Sequence, residues 1–250
     1  MANDFLEIKN LSVNFNGFQA VNDVSISVKK GETRSIIGPN GAGKTTIIDM
    51  ITGKTVPTSG RILLNGERID SKDPSVIASK YRVGRKFQGP NVFNEMTVAE
   101  NIEVSLAGHS RLGQTFLYRR TKKIQDEIND ILQQINLYEK RDIITTNLSH
   151  GEKQWLEIGM VIAQKPQLIT LDEPTAGMTV DETYKTGEMI NTLMKDKTVI
   201  VIEHDIDFIK QVSQTITVLN MGEIIAEGTY DEITNNPEVV RVYLKREEGE

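Results

Sequence analysis

The amino-acid sequence predicts an α/β fold, in which a parallel sheet carries helices on its faces. Short β-rich runs lie at 167–171, 198–202 and 215–219, and helical segments separate them. This alternation of strand and helix is typical of parallel sheets. The first seventy residues contain mainly strand patterns, whereas the segment from 90 to 155 has helical spacing. The sequence therefore predicts one α/β core that a helical insertion interrupts.

Strand patterns dominate the first seventy residues. Residues 6–13 and 24–28 alternate apolar and polar side chains, as strands with one buried face do. Residues 34–38 form a short apolar run that leads directly into a glycine-rich loop. Residues 61–69 predict a hairpin, because an Asn-Gly pair separates their two halves.

Helical patterns follow the glycine-rich loop and fill the middle of the chain. Residues 47–53 predict a helix that ends at Gly53. Residues 97–107 and 121–137 have helical spacing, and residues 108–120 between them predict a loop with a basic end. The basic residues there are interpreted as a solvated face: Arg119, Arg120, Lys122 and Lys123. One apolar face of the second helix consists of Ile124, Ile128, Ile131, Leu132 and Ile135.

Composition excludes several classes of function. The net charge is −6 and the pI is about 5.3, which argues against a protein that binds nucleic acid through a broad basic face. The chain has no cysteine, so disulfides, thiolate zinc sites and a cysteine nucleophile are excluded. Its start lacks the long apolar core of a secretory signal, and its apolar runs are too short to span a bilayer. We therefore expect other chains to supply any membrane part.

The segment GPNGAGKTT at 38–46 predicts a nucleotide-binding site. It fits the pattern G-x-x-x-x-G-K-[ST], in which glycines let backbone N–H groups point at phosphate oxygens. Lys44 adds a point charge near the β- and γ-phosphates, and the hydroxyl of Thr45 is placed to bind Mg²⁺. A strand precedes the loop, and the helix after it presents its positive end to the anion.

Charged side chains end two of the predicted strands. A charged strand end that meets solvent would explain Asp172 and Glu173 by themselves. Together with a phosphate loop, Asp172 can hold Mg²⁺ through water and Glu173 can polarise the attacking water. His204 follows another apolar strand, and sheets of this class place ligands beyond the carboxyl ends of their strands. We therefore predict all three at one rim, with His204 at the γ-phosphate.

Gln88 precedes a Gly-Pro break at the end of a predicted strand. By itself this is a turn signal. A glutamine amide can also bind both a metal ion and a water, which suits a sensor between the site and a partner. The residues alone leave both interpretations open.

Residues 149–152 fit S-x-x-E, the pattern of a helix capping box. In that structural interpretation Ser149 caps the helix, Glu152 reciprocates, and Trp155, Ile158 and Ile162 pack inward. A capped helix start still offers free N–H groups and a positive dipole to an anion. The segment therefore predicts a capped helix that is also able to bind phosphate.

The order of these motifs resembles that of the ATP-binding subunits of ABC transporters, over essentially the whole chain. The motifs are the loop at 38–46, Gln88, LSHGE at 148–152, LDEP at 171–174 and His204. The resemblance implies a P-loop NTPase (RecA-like) core with an antiparallel β subdomain and an inserted helical subdomain. It also implies a single ABC ATPase domain over 1–250. We predict the helical insertion, with the signature loop, at 89–155, and the other parts at 1–88 and 156–250.

The resemblance also implies roles for individual residues. Its cofactors are ATP and Mg²⁺. The predicted catalytic residues are Glu173, His204, Gln88 and Lys44. The predicted nucleotide-binding residues are Phe15, which matches the family's adenine-stacking aromatic with Phe18 as the alternative, and Gly38, Asn40, Gly41, Gly43, Lys44, Thr45 and Thr46. The predicted magnesium ligands are Thr45, Gln88 and Asp172. The signature residues Ser149, His150, Gly151 and Glu152 would act on the nucleotide of a second chain.

The signature departs from the family's usual LSGGQ at two positions. His150 replaces a glycine and Glu152 replaces the glutamine. Thr179 stands where the family usually has an aspartate, which puts coupling between sites through that residue in doubt. The chain looks most like the branched-chain amino acid and urea importer group. Its segments ITGKT, GRKFQ, DEPTAGMT and the tail at 227–244 indicate the group, and LSHG with WLEIGM resembles the urea-importer subunits.

The resemblance implies an ATPase that powers uptake of a small polar solute, either urea or a short-chain amide, or branched-chain amino acids. Its partners would be a second ATP-binding subunit, two membrane permeases and, indirectly, a solute-binding protein, with no nucleic acid. The chain would be peripheral, on the cytoplasmic face of the membrane. One alternative is a cytosolic ABC-type ATPase that acts on nucleic acid or ribosomes. Another is a small-molecule kinase, which would leave LSHGE unexplained.

Overall fold

A computed structural model describes residues 4–107 and 121–244, and the predicted loop at 108–120 lies outside this range. Within it, a four-stranded antiparallel sheet has the order β2-β1-β4-β5. Its strands are β1 (Leu6–Phe15), β2 (Phe18–Val28), β4 (Ser59–Leu64) and β5 (Glu67–Arg68). The hairpin predicted at 61–69 is confirmed, and both turn residues, Asn65 and Gly66, have positive φ as a tight hairpin requires.

The second sheet has six strands in the order β10-β9-β3-β8-β7-β6. They are β3 (Thr33–Ile37), β6 (Val83–Lys86), β7 (Leu168–Asp172), β8 (Thr198–Ile202), β9 (Thr215–Asn220) and β10 (Glu223–Gly228). All neighbours pair in parallel except β9 and β10. The predicted α/β fold is therefore confirmed, and β3, β6, β7 and β8 end at a common rim.

Helices flank the sheets and fill the middle of the chain. They are α1 (Lys44–Ile51), α2 (Pro74–Ser79), α3 (Val98–Ala107), α4 (Lys122–Gln134), α5 (His150–Ala163), α6 (Val180–Leu193), α7 (Ile206–Val212), α8 (Tyr230–Thr234) and α9 (Pro237–Val239). The predicted start of α1 at 47 is wrong, because the helix begins at Lys44, directly after the left-handed Gly43. The apolar face predicted for α4 is confirmed: Ile128, Ile131, Leu132 and Ile135 are buried, and Ile124 is half-buried.

One hydrophobic cluster joins the helical insertion to the main sheet. It contains residues from α3, α4 and α5 together with Ile169 and Val201 of the sheet. The predicted boundary between residues 155 and 156 lies inside α5, which is continuous there. The division into subdomains stays a prediction.

Candidate functional site

The phosphate loop joins β3 to α1, and two of its glycines are required by close packing. At Gly38 (φ +146°) a Cβ would overlap the carbonyl oxygen of Leu219, and at Gly43 (φ +101°) it would lie 2.5 Å from that of Ala20. Any side chain would therefore push the loop off the end of the sheet. The loop ends where α1 begins, so the first free N–H groups of the helix face the same space.

Lys44 is buried inside the loop that it follows. Its Nζ donates to the carbonyl oxygens of Gly38 at 2.6 Å and Pro39 at 3.0 Å. Burial lowers the pKa of Lys44, while the nearby carboxylates Glu173 and Asp172 raise it. The loop thus holds a cation whose position is fixed by backbone atoms before any anion arrives.

A cavity of about 410 Å³ lies over the loop. Its lining combines predicted nucleotide-binding residues with Gln88 and Glu173: Phe15, Phe18, Ala20, Asn40, Gly41, Ala42, Gly43, Lys44, Thr45, Thr46, Gln88 and Glu173. Phe15 and Phe18 pair across the tip of the β1–β2 hairpin, and both rings are exposed. One end of the cavity therefore offers aromatic rings and the other offers backbone N–H groups and a cation.

Glu173 is held by two side chains from neighbouring strand ends. Gln88, after β6, donates from Nε2 to Oε2 of Glu173 at 2.9 Å. His204, after β8, places Nε2 3.1 Å from Oε1. Glu173 itself has φ +46°, a backbone conformation that non-glycine residues adopt mainly where function or packing requires it. The structure thus brings three sequence-predicted residues together at the mouth of the cavity.

Asp172 lies one residue earlier, at the end of β7, and is buried. Burial raises the pKa of Asp172, and the Arg85 guanidinium opposes that rise. Arg85 Nη2 lies 3.8 Å from Asp172 Oδ2, and Nη1 donates to Asp49 of α1 at 2.6 Å. Sequence reasoning missed Arg85, although a charged residue within a strand of a buried sheet is a signal that could have drawn attention to it.

The predicted magnesium ligands supply only hard oxygen donors. Thr45 and Gln88 line the cavity, and the Gln88 amide uses its nitrogen for Glu173, so its oxygen faces elsewhere. A hydroxyl, an amide carbonyl and a carboxylate such as Asp172 suit Mg²⁺, which binds through few protein oxygens together with substrate phosphates and water. The residues present therefore fit the ion.

A second residue that the sequence analysis missed, the acidic Glu203, fixes the loop after Glu173. Its carboxylate is buried and accepts from the backbone N–H of Thr175 at 2.9 Å, and also from the Thr175 hydroxyl. Its other oxygen accepts from the N–H of His204 at 2.8 Å. Glu203 therefore ties the segment that carries Glu173 to the segment that carries His204.

The signature segment forms the predicted capping box at the start of α5. The Ser149 hydroxyl accepts from the N–H of Glu152, and Glu152 Oε2 accepts from the N–H of Ser149 at 3.0 Å. Burial alone would raise the pKa of Glu152, but the hydrogen bonds from Lys140 and Ser149 outweigh it and lower that pKa. The acidic replacement in the signature is thus neutralised by Lys140 within the chain.

Two of the residues expected in an inward face of α5, Trp155 and Ile158, are buried, and Ile162 is half-buried.

Among the described residues, the lining of the cavity does not include Asp172, His204 or any of residues 149–152. His204 is linked to the cavity through Glu173, whereas the signature segment does not line it. Thr179, the departure noted in the sequence, caps α6 with Glu182 as a second capping box.

Comparison with known proteins agrees with this geometry. A family model described as "ABC transporter" matches residues 21–176, and one described as "Branched-chain amino acid ATP-binding cassette transporter" matches residues 223–244. The high-affinity branched-chain amino acid transport ATP-binding protein LivG of Salmonella typhimurium is 36% identical over 253 residues, which cover 98% of this chain and 99% of LivG.

Solved structures give the same result. The ADP conformation of an ATP-binding cassette of an ABC transporter is 32% identical, covers 99% of both chains and has a TM-score of 0.84. A dimeric post-hydrolysis state of an ATP-binding cassette bound to ADP and Pi is 25% identical, covers 90% of this chain and 98% of that one, and has a TM-score of 0.79. In the part of the chain that the structure describes, we find no helix with the length and apolarity needed to cross a bilayer. The protein is an ABC ATPase, and the chain belongs to the ABC transporter family, as an ATP-binding subunit of the branch that includes LivG.

Proposed function

We propose that this subunit hydrolyses ATP between two chains to power import of a small polar solute through separate permeases. The observation that carries the proposal is the Glu173 carboxylate, oriented by Gln88 and His204 at the mouth of the phosphate cavity. A carboxylate so held is able to position the attacking water in line with the γ-phosphate. Purified protein should release phosphate from ATP, and no phosphorylated small molecule should form.

Each side chain at the rim has a separate task in this mechanism. Lys44 stabilises the charge that develops on the transferring phosphoryl group, and the loop N–H groups hold the β- and γ-phosphates. Gln88 and His204 sense the γ-phosphate, because both touch the carboxylate that faces it. Thr45, Gln88 and Asp172 would hold Mg²⁺, which would supply further charge neutralisation on the phosphates. Loss of the γ-phosphate removes these contacts.

The signature segment serves the nucleotide of the partner subunit. It offers the free N–H groups and positive end of α5 to an anion, yet it lies apart from the cavity in its own chain. Two chains that face each other would therefore complete two sites, each made of the phosphate loop of one chain and the signature segment of the other. ATP would hold the dimer closed, and hydrolysis would let it open, as in other nucleotide-held switches.

Replacement of Ser149 by Arg tests the second chain's contribution. A long cationic side chain at the start of α5 blocks closure, so we expect ATP-dependent dimerisation and turnover to be lost while the monomer keeps near-normal nucleotide affinity. Ser149→Ala is the matched control, because it removes only the cap, at a cost of about 0.5–2 kcal/mol of stability. Equilibrium nucleotide binding and light scattering separate the outcomes. Loss of nucleotide binding by the Ser149→Arg monomer would contradict the cross-chain role.

The adenine contact is tested at the hairpin tip. Phe15→Ala should weaken ATP binding by about 1–3 kcal/mol, the range for base–aromatic stacking. Phe18→Ala is the control, because its ring lines the same cavity and pairs with Phe15. Calorimetric titration with ATP measures both variants. An unchanged affinity for Phe15→Ala with a weakened one for Phe18→Ala would reassign the stacking residue, and two unchanged affinities would exclude both.

The membrane subunits would contact the surface around and after Gln88. An apolar groove of about 380 Å³ lies beside Phe87, the residue before Gln88, and is lined by Thr52, Lys54, Pro74, Ile77, Ala78, Val83, Arg85, Phe87 and Gln164. Large apolar side chains nearby are exposed, namely Phe87, Phe93 and Met96, and such patches are typical of interaction sites. Such a contact would put the chain on the cytoplasmic face of the membrane.

The transported solute belongs to one of two proposed classes. The relatives named for branched-chain amino acid transport favour leucine, isoleucine or valine, whereas LSHG and WLEIGM resemble the urea-importer subunits. Similarity to transport proteins does not favour the alternative of an ATPase that acts on nucleic acid or ribosomes. Cells that lack the gene should lose high-affinity uptake of radiolabelled urea or of leucine. If these cells take up one of the two solutes normally and fail to take up the other, the solute that they fail to take up is the one that is transported.

A further inference from the structure

The histidine that departs from the usual signature makes a contact within its own chain. His150 Nε2 lies 3.0 Å from the carbonyl oxygen of Ala176. His150 is the first residue of α5, and Ala176 belongs to the segment that follows the catalytic Glu173. The contact therefore joins the signature segment to the loop at 173–179.

The chemistry of the partners assigns the direction of this hydrogen bond. A carbonyl oxygen only accepts, so His150 Nε2 carries the hydrogen and donates. The amide of the buried Gln154 lies 3.3 Å from the same ring nitrogen. The atom at this distance is the amide nitrogen Nε2, and Gln154 Oε1 has no hydrogen-bond partner among the described residues.

The backbone at Gly177 leaves space for the His150 imidazole. Gly177 has φ +73°, and a Cβ there would lie 3.2 Å from His150 Nε2 and 3.3 Å from Cδ2. These distances are tighter than ordinary van der Waals contact, so any side chain at Gly177 would displace the ring or the loop. A glycine at 177 thus leaves room for the imidazole.

The loop that His150 touches is fixed to the catalytic residue at its other end. The N–H of Ala176 donates to the carbonyl oxygen of Glu173 at 3.3 Å, and Glu203 holds Thr175 between them. Movement at Ala176 therefore reaches Glu173 through three residues of restrained backbone. The imidazole is a side chain that connects this backbone to α5.

We propose that His150 is a positioning residue that holds the Glu173 loop of its own chain against the start of α5. This inference rests on the proposed function, in which the α5 start faces the partner's nucleotide while Glu173 serves the chain's own. The two sites of the dimer are then coupled through each chain, because docking of the signature on the partner's phosphate sets the position of Glu173. His150 supplies a link that Thr179, in place of the family's aspartate, leaves in doubt.

Mixed dimers test whether His150 acts on its own chain or only across the interface. Chains with different affinity tags are combined into mixed dimers. One chain of each mixed dimer carries Glu173→Gln, which stops hydrolysis at the phosphate loop of that chain. In the first arrangement the active chain carries His150→Ala and its partner supplies an intact signature. In the second, the silenced chain carries His150→Ala and the active chain is otherwise unaltered. Each is compared with a mixed dimer of unaltered and Glu173→Gln chains.

We expect ATP turnover to fall about two- to tenfold in the first arrangement, the effect of one hydrogen bond on an equilibrium. His150→Gln in the same position keeps a donor and should restore part of the rate. A rate in the first arrangement equal to the reference would overturn the proposal. If chains with unaltered phosphate loops formed no dimer in the presence of ATP, the two-chain function on which the proposal rests would be overturned instead.

A double-mutant cycle provides a second measurement on unmixed protein. Gly177→Ala strains the loop in any background, because φ is positive, but it meets the imidazole only when His150 is present. We therefore expect Gly177→Ala to reduce turnover by a smaller factor in the His150→Ala background than in the unaltered one. Equal factors in the two backgrounds would show that the ring does not support the loop. Lys123→Ala, on the exposed side of α4, is the control for unrelated surface changes.

Discussion

Replacement of Glu173 by Gln should abolish ATP turnover while ATP binding is kept. The amide has the same shape, so Lys44 and the phosphate loop, which bind the nucleotide in this proposal, are left unaltered. It has no negative charge to orient or polarise the attacking water, and such groups contribute about 10²- to 10⁴-fold to rates. We expect phosphate release to fall by that factor and ATP to hold a stable dimer, detected by size-exclusion chromatography with and without ATP.

The control for that change is an exposed carboxylate elsewhere. Glu188 lies on the solvent side of α6, and Glu188→Gln makes the same chemical change away from the cavity. It should leave turnover and dimerisation unaltered. Turnover by Glu173→Gln at the rate of the unaltered protein would remove Glu173 from the reaction, and neither Gln88 nor His204 would then have the partner through which it is proposed to act.

Local patterns predicted the parts of this molecule that local physics determines. The hairpin at 61–69 follows from an Asn-Gly pair whose residues accept positive φ, and the capping box at Ser149 follows from the S-x-x-E spacing. The strands β7, β8 and β9 follow from short β-branched runs between helices. Even the rim was predictable, because parallel strands must end at one edge of their sheet.

The supports of the proposed catalytic residues were not predictable in the same way. Arg85, Glu203 and His150 each act on a partner that lies far away in the chain, such as Asp172 for Arg85 and Ala176 for His150. Their residue types are ordinary in a soluble protein, and only the contact with a particular partner gives each of them a role. The start of α1 was missed for a related reason, since Gly43 ends the loop in a conformation that spacing does not reveal.

A buried ion pair joins β6 to α5, and it carries the second large prediction. Lys86 is fully buried, and its Nζ lies 3.7 Å from Oε2 of Glu157, which is also buried. Burial lowers the pKa of Lys86 and raises the pKa of Glu157, and the attraction between the two groups opposes both shifts. Glu157 Oε1 also accepts from the N–H of Phe87 at 3.4 Å, next to Gln88.

Removal of one partner should be far more damaging than removal of both. Glu157→Ala leaves Lys86 buried without its counter-charge, and such changes lower the free energy of unfolding by about 3–5 kcal/mol. The double replacement Lys86→Met with Glu157→Leu substitutes apolar groups for both charges, which is often neutral or stabilising. Urea denaturation measures each variant, and a shifted midpoint with an unchanged slope reports stability alone.

An exposed pair of the same residue types provides the comparison. Lys80 Nζ lies 3.5 Å from Glu67 Oε2, and both side chains are 64% exposed. Glu67→Ala should therefore change stability by only about 0–1 kcal/mol. If Glu157→Ala cost no more than Glu67→Ala, the charge on Lys86 would not depend on Glu157. Another outcome is a double variant that is stable but hydrolyses ATP slowly. That result would show that the ion pair contributes to activity, by holding the segment before Gln88 against α5, and not to the stability of the fold.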